Sequence, residues 1–366
     1  MRKQFFLPIA LLFVFAFSYS CKSTQQSATG SLAPTGKFEV YPIGFYNLEN
    51  LYYPLSTDSL RDKEFSPTGS NNWTIEKYGK KLVNMSFALN EIAKEFGGLA
   101  AVGVSEIGNR KVLEDLIATD PLKNRHMKIV HYDSPDWRGV DVGLLYDSTR
   151  FVYSKSSSHA FPYKRAIAEG VVDSTFRTRD ILLVEGRIAN EKTAIMVAHW
   201  PSRRGDKSTR ARDLAASAMK HIHDSLLRVD PQMHVIIMGD LNDDPTDTSC
   251  TVELNAKKYV NEVEPNGLLN TMWEKYSNGI GSLCYQGKWN LFDQIIISHS
   301  LLGNEYSNLK FYKAEVFNRD FLIQKTGKYQ GYPFRTFSGG HFQNGYSDHF
   351  PTYIFLVKSA SKTNVK

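Results

Sequence analysis

The chain is 366 residues long, with 44 lysines and arginines against 38 aspartates and glutamates and a formal net charge of +6. So slight an excess excludes any argument from charge alone. It tolerates a polyanionic substrate without pointing to one, because a nucleic-acid binder usually concentrates its basic residues on one face. The chain has no internal repeat and no Gly-rich nucleotide loop of either common type.

At the N-terminus, Arg2 and Lys3 precede an apolar block from Phe5 to Phe17 and small residues before Cys21. The block is too short for a membrane span and reads as a secretory signal over residues 1–20. It resembles a bacterial lipoprotein signal, which implies cleavage before Cys21, lipidation of its thiol and stable attachment to a membrane in the periplasm or at the cell surface. An ordinary secreted protein with an incidental cysteine is the alternative. Residues 21–36 are small and polar, and predict a flexible tether of ~20 Å reach. The chain beyond the tether suits one large domain over 37–358, with no low-complexity linker inside it, and a disordered tail over 359–366. With Cys21 committed to lipid, Cys250 and Cys284 remain in a disulfide-permissive compartment, and the sequence leaves open whether they bridge. A monomer is expected.

Within the domain, short apolar runs predict strands over Phe38–Phe45, Leu99–Val104, Val140–Tyr146, Ile181–Ile188, Thr193–His199, Val235–Met238, Phe292–Ile297 and Pro351–Val357. Two helices stand out between them. Leu82, Met85, Leu89, Ile92 and Phe96 fall at three- and four-residue steps from about Thr74, with Gly97-Gly98 as the stop. The second helix starts near Ser208, and Leu214, Ala218, Ile222 and Leu226 form its stripe up to Asp230-Pro231. Many strands and few helices predict an α+β fold in which two packed mixed sheets carry helices outside and a site along one edge.

The run His234-Val-Ile-Ile-Met-Gly reads as a buried strand that delivers Asp240 and Asn242 to its C-terminal end, with Asp243 and Asp244 as a turn before Pro245. Similar polar clusters end other strands: Asn47-Leu-Glu49, Val104-Ser-Glu106, His199-Trp-Pro-Ser, Phe292-Asp293 and Ser347-Asp348-His349. One such carboxylate alone is usually a cap or a solvated side chain. Six clusters at six strand ends predict one shared site.

With Arg138-Gly-Val-Asp141-Val-Gly143, these motifs resemble the endonuclease/exonuclease/phosphatase superfamily, in its order and from about residue 38 to 357. The resemblance implies a four-layer α/β/β/α sandwich and hydrolysis of a phosphoester with Mg2+, for which Mn2+ would substitute. A hard cation of this kind wants oxygen ligands and keeps several waters. By position, Glu106 matches the family's principal metal carboxylate, and Asn47, Glu49 and Asp348 match its supporting oxygen ligands and the groups behind them, which orient the ion and the phosphate. Asp240 and Asn242 match the pair that positions or deprotonates the attacking water. His349, held by Asp293, matches the histidine that meets a phosphate oxygen. Whether Asp240 or the Asp293–His349 pair is the base stays open. His199 discriminates between branches, since those resembling exonuclease III and the abasic-site endonucleases usually place Tyr there, whereas the deoxyribonuclease-I-like, sphingomyelinase-like and inositol-phosphatase-like branches place His.

Arg203 and Arg204, on the loop after the His199 strand, are expected to grip a substrate phosphate, with Arg138 as a weaker candidate. Two further segments should set substrate choice: the polar stretch Leu55 to Asn72, and Arg319 to Tyr346, where Lys328, Tyr329, Tyr332 and Arg335 interleave aromatic and basic groups. The latter is equally well explained as a covering loop. The expected function is a membrane-tethered, Mg2+-dependent phosphodiesterase of nuclease type acting on extracytoplasmic nucleic acid. Competing readings are a phosphoesterase of phospholipase C/sphingomyelinase or inositol-phosphatase type, and a non-catalytic surface binder, against which the complete residue set argues.

Overall fold

The structure, a computed structural model, describes residues 37–54, 63–205 and 207–360. Cys21, the signal segment and the tether lie outside the described residues, as do Asp58, Arg61 and Asp62 of the first loop. From Lys37 onward the chain forms one compact unit.

Two mixed sheets carry it. The first has the strand order β14 (Lys310–Val316), β17 (Thr352–Ser359), β1 (Phe38–Leu51), β2 (Ala101–Ile107), β4 (Asp141–Asp147), β3 (Met127–His131). The second runs β5 (Phe151–His159), β6 (Ile181–Ile188), β7 (Glu191–His199), β8 (His234–Asp240), β13 (Asp293–Ser298), β10 (Leu268–Asn270), β9 (Ala256–Lys257). Two small hairpins stand apart, β11–β12 (Leu283–Tyr285, Lys288–Asn290) and β15–β16 (Phe337–Ser338, His341–Phe342). The helices are α1 (Ile75–Glu91), α2 (Arg110–Ala118), α3 (Tyr163–Ala168), α4 (Ser208–Val229) and α5 (Trp273–Ser277).

Every expected strand is present. β1 extends past Phe45 to Leu51, so Asn47 and Glu49 lie within it, and β17 reaches Ser359, which pairs with Phe38 inside the segment expected to be tail. Helix α1 starts where predicted, capped by the Thr74 hydroxyl accepting from the Lys77 N–H, but it stops at Glu91 rather than at Gly97. Ile92 turns extended and Ala93 left-handed, and a separate short turn, Lys94–Phe96, comes next. The apolar spacing continues through this break because Phe96 still packs edge-on against Phe355 of β17.

The alternation of side chains in the second sheet positions the site. In β8, Ile236 and Met238 face the space between the sheets while Val235 and Ile237 face α4. Strands β7 (Ile195, Val197 inward) and β13 (Ile295, Ile297 inward) keep the same phase. With a side-chain period of two, His199, Asp240 and Asp293 fall on the inward face at the rim of the sandwich. At Gly103 of β2, a Cβ would lie 2.6 Å from the Met238 sulfur and 3.0 Å from Val197, so the two sheets close directly on each other there.

Leu214, Met219, Ile222 and Leu227 of α4 seal the outer face of the second sheet, each buried aliphatic contributing roughly 1.5–3 kcal/mol. Leu82, Met85 and Leu89 of α1, with Val112, Leu113 and Leu116 of α2, pack on the first. Among the described residues no helix is long and apolar enough to cross a membrane, and Cys250 and Cys284 are both free thiols.

Candidate active site

Register brings three of the expected residues abreast: His199 of β7 pairs with Asp240 of β8, and Asp240 pairs with Asp293 of β13. Gly239 allows this, because a Cβ there would sit 2.2 Å from the Ala198 carbonyl oxygen. Beyond the strand ends the chains stay joined. The Trp200 N–H donates to the Asp240 carbonyl at 3.0 Å, and the Asn242 side chain donates to the Trp200 carbonyl at 2.9 Å.

His349, just before β17, crosses from the first sheet to complete the group. Its Nδ1 lies 2.6 Å from Asp293 Oδ2, and its Nε2 lies 3.9 Å from Asp240 Oδ2. The Ser282 hydroxyl donates to the same Asp293 oxygen, leaving the other without a partner. Burial opposes charge on the His349 ring, but the carboxylates of Asp293, Asp240 and Asp348 outweigh it and hold its pKa well above the ordinary value. His199 is the reverse case. Its Nε2 lies 3.6 Å from Asp240 Oδ2, yet burial, reinforced by Arg179, Arg138 and His349, pushes its pKa well down. One histidine is thus charged and the other neutral at neutral pH. Between them, burial raises Asp240 to about 6, against the pull of His349 and with repulsion from Asp293.

In the first sheet, β1 and β2 both break register at the site, between Asn47 and Leu51 and between Ser105 and Ile107. Glu49, Asn50 and Glu106 take left-handed backbone there, with φ of 48°, 54° and 58°, and Asn242 does so with φ 50°. Such bulges re-aim side chains, and strain of this kind, roughly 1–3 kcal/mol per residue, gathers at functional sites. The Glu106 carboxylate accepts from the Asn50 N–H at 3.0 Å and faces Arg138 at 3.5 Å. Asn47 donates its amide to Asp240 Oδ2 at 3.0 Å, which ties the two sheets across the rim.

Glu49 is held from several sides. Its carboxylate is buried and already engaged by the Thr336 N–H at 2.6 Å and Arg335 at 3.3 Å, with Lys81 of α1 at 3.8 Å. Arg335 also binds Asp348 at 3.0 Å. Burial and the nearby Asp348 raise Glu49 to about 7. Its chemistry is that of an anchor for the 334–348 segment rather than of an open metal ligand.

Arg203 is engaged more fully still. It donates to the Asn242 carbonyl, contacts Asp243, Asp244 and Asp247, the last at 2.6 Å, and lies over the Phe292 ring. Held by three carboxylates, it braces the loop after Asp240 instead of reaching for a phosphate. Arg204 is exposed beside it, and Arg138 reaches the site through Glu106 and the Asn50 side chain. Asp243 and Asp244 are more than a turn: Arg212 of α4 binds Asp243 at 2.7 Å, and Asp244 accepts the Leu291 N–H at 2.8 Å.

Sequence reasoning missed three supporting cations. Arg179, buried, donates to the carbonyls of His199 and Trp200 and pairs with Asp136 at 3.0 Å. Lys81 and Arg212 are buried on the apolar faces of α1 and α4, and a cation on an apolar stripe was the available signal. Among the described residues, two groups of three acidic or histidine side chains bring ligand atoms within 4.8 Å of one another: Asp240, Asp293 and His349, and, at the facing ends of β3 and β4 and in the loop between them, His131, Asp141 and Asp133. Around the first, Glu106, Asn47 and Asp348 add oxygen donors, a set whose chemistry fits a hard divalent cation.

The sequence profile described as Endonuclease/Exonuclease/phosphatase family matches residues 42–358. No curated protein matches the chain by sequence. Among solved structures, an endonuclease/exonuclease/phosphatase family protein from Bacteroides thetaiotaomicron aligns with a TM-score of 0.55 at 15% identity, over 89% of this chain and 100% of that one. A mannosyl-6-phosphatase from the same organism aligns with a TM-score of 0.51 at 14% identity, over 86% and 99%. TDP2 from C. elegans aligns with a TM-score of 0.51 at 14% identity, over 87% and 75%. At these identities the likeness is one of fold.

Proposed function

This chain belongs to the endonuclease/exonuclease/phosphatase family, and on that premise we propose that it is a Mg2+-dependent phosphodiesterase acting on nucleic acid outside the cytoplasm. The carrying observation is the buried group of Asp240 between a neutral His199 and a charged His349. Asp240, with a pKa near 6, is a carboxylate poised to orient and deprotonate water at neutral pH. His349 donates from Nε2 to a phosphate oxygen, its charge maintained by Asp293. His199, neutral, offers a single ring N–H to the same phosphate. Glu106, with Asn47 and Asp348, would hold the divalent ion, which neutralises phosphate charge when bound.

Nucleic acid is favoured by the rim, where Trp137, 60% exposed, stands beside Arg138, and Arg204 and Lys328 are exposed. Location outside the cytoplasm, anchored by a lipid on Cys21, is supported by the apolar segment that ends at that cysteine. The test is incubation of the protein with supercoiled plasmid and Mg2+, beside EDTA and Asp240→Asn controls. Nicking that vanishes in both controls is expected. Intact plasmid throughout would reject endonucleolytic cleavage of duplex DNA.

A further inference from the structure

Beside the site lies a cavity of about 420 Å³, lined by Tyr285, Gln286, Lys328, Tyr329 and Tyr332, with Arg335 and Asp348 also in its wall. Its volume falls toward the lower end of ligand pockets, roughly 300–1,000 Å³. Arg335 and Asp348 make it continuous with the site, since the same guanidinium joins Asp348 to Glu49. Its aromatic wall is fixed to the site as well. Phe350, next to His349, stacks on Trp289 of β12 with centroids 5.9 Å apart at 15°. Trp289 meets Tyr332 at 6.2 Å, and Tyr332 meets Tyr329 at 5.7 Å. A ladder of four rings therefore runs from the residue after His349 into the cavity.

We propose that this cavity takes a single sugar ring carrying the phosphate that the site hydrolyses, the ring being that of one nucleotide unit of a nucleic-acid strand or of a free sugar phosphate. The inference rests on the hydrolase reading and narrows it. The Tyr285 and Tyr329 hydroxyls, the Gln286 amide and the Lys328 ammonium supply hydrogen bonds suited to a ring bearing several hydroxyls, while the Tyr332 hydroxyl is engaged by Cys284 and its ring serves as wall. The Tyr329 and Tyr332 rings pack against each other at 5.7 Å with a tilt of 55°, so they give the cavity one bent apolar wall, on which the C–H face of a sugar lies, and no slot between them for a flat base.

The test measures binding by calorimetry in the full chain with Mg2+ and an Asp240→Asn background to prevent turnover. The probes are glucose 6-phosphate, a nucleoside 5′-monophosphate and inorganic phosphate, which has no ring. At least one sugar-bearing probe is expected to bind about tenfold more tightly than inorganic phosphate. Tyr332→Ala and, on the exposed hairpin turn, Gln286→Ala should each bring that ratio down several-fold, while Tyr332→Phe retains most of it. Preference between the two sugar probes identifies the source. A ratio near one, or a ratio indifferent to both alanine variants, overturns the proposal. Phosphate release is measured separately with Asp240 restored; selectivity without release would overturn the hydrolase reading alone.

Discussion

The ring of His349 and the carboxylate of Asp293 come from different sheets and meet at 2.6 Å, both buried. Because burial alone would lower the histidine, its raised pKa depends on the charges beside it, and Asp293 contributes most to the rise. The folded pKa lies above the unfolded one, so the pair stabilises the fold fully below pH ~6.5 and loses that contribution as pH rises through the folded value. Asp293→Asn should therefore lower the His349 titration and move the alkaline limb of kcat/KM to lower pH, with turnover reduced about 10²-fold. An NMR titration of the ring checks it, and an unmoved midpoint would refute the assignment.

Asp240 shows the opposite linkage. Burial raises it from 3.8 to about 6, so its ionisation opposes folding as pH rises between those values. Asp240→Asn should remove that cost, on the order of 1–3 kcal/mol at pH 7, while turnover falls by at least 10²-fold. The expected result is an inactive protein with a higher melting temperature than the parent at pH 7 and little difference at pH 4. In the parent, activity should fall as pH drops through about 6. A destabilised Asp240→Asn protein at pH 7 would contradict the burial argument.

The central strands of the second sheet were legible because they are apolar on both faces, whereas the largely exposed edge strand β5 was not: Val235 to Met238 announces β8, and the polar residues at its end are located by where the run stops. The pairing of His199, Asp240 and Asp293 side by side was not legible, since register depends on contacts between runs far apart in sequence. The partners of Glu49 were hidden for a related reason. Its place in the motif says nothing of Lys81, 32 positions on, or Arg335 and Thr336, which arrive from the other end of the chain and occupy its oxygens. Left-handed backbone at Glu49 and Glu106 likewise carries no mark in the sequence, because neither residue is the glycine that would signal it.

Lys81 and Glu49 are both buried, at 3.8 Å, and Lys81 also donates to the Thr336 hydroxyl and the Tyr346 carbonyl. Burial lowers the lysine to about 8, against the attraction of Glu49. Lys81→Met should cost roughly 3–5 kcal/mol by leaving Glu49 with less compensation in a buried setting. Lys81→Met combined with Glu49→Gln should recover part of that loss, because the second change removes the stranded charge. Urea denaturation of the two single variants and the double variant measures the coupling, and strictly additive losses would show that the pair acts independently.

Glu106 differs from the other carboxylates of the site in what surrounds it. It is partly exposed, and its charged neighbour is Arg138 at 3.5 Å, whereas Glu49 is enclosed by cations and Asp293 is given over to His349. A carboxylate held by the Asn50 N–H at one oxygen and faced by Arg138 at the other is the one best placed to trade its arginine for a hard ion. Glu106→Gln keeps the shape and the Asn50 hydrogen bond but removes the charge. It should raise the Mg2+ concentration needed for half-maximal phosphoester hydrolysis by about 10–100-fold, with turnover at saturating Mg2+ less affected. Glu49→Gln, acting on the anchor of the 334–348 segment, should lower stability and leave the Mg2+ requirement much closer to that of the parent. A metal titration of both variants separates the roles: if Glu49→Gln moved the Mg2+ requirement as far as Glu106→Gln, Glu49 would be a ligand after all.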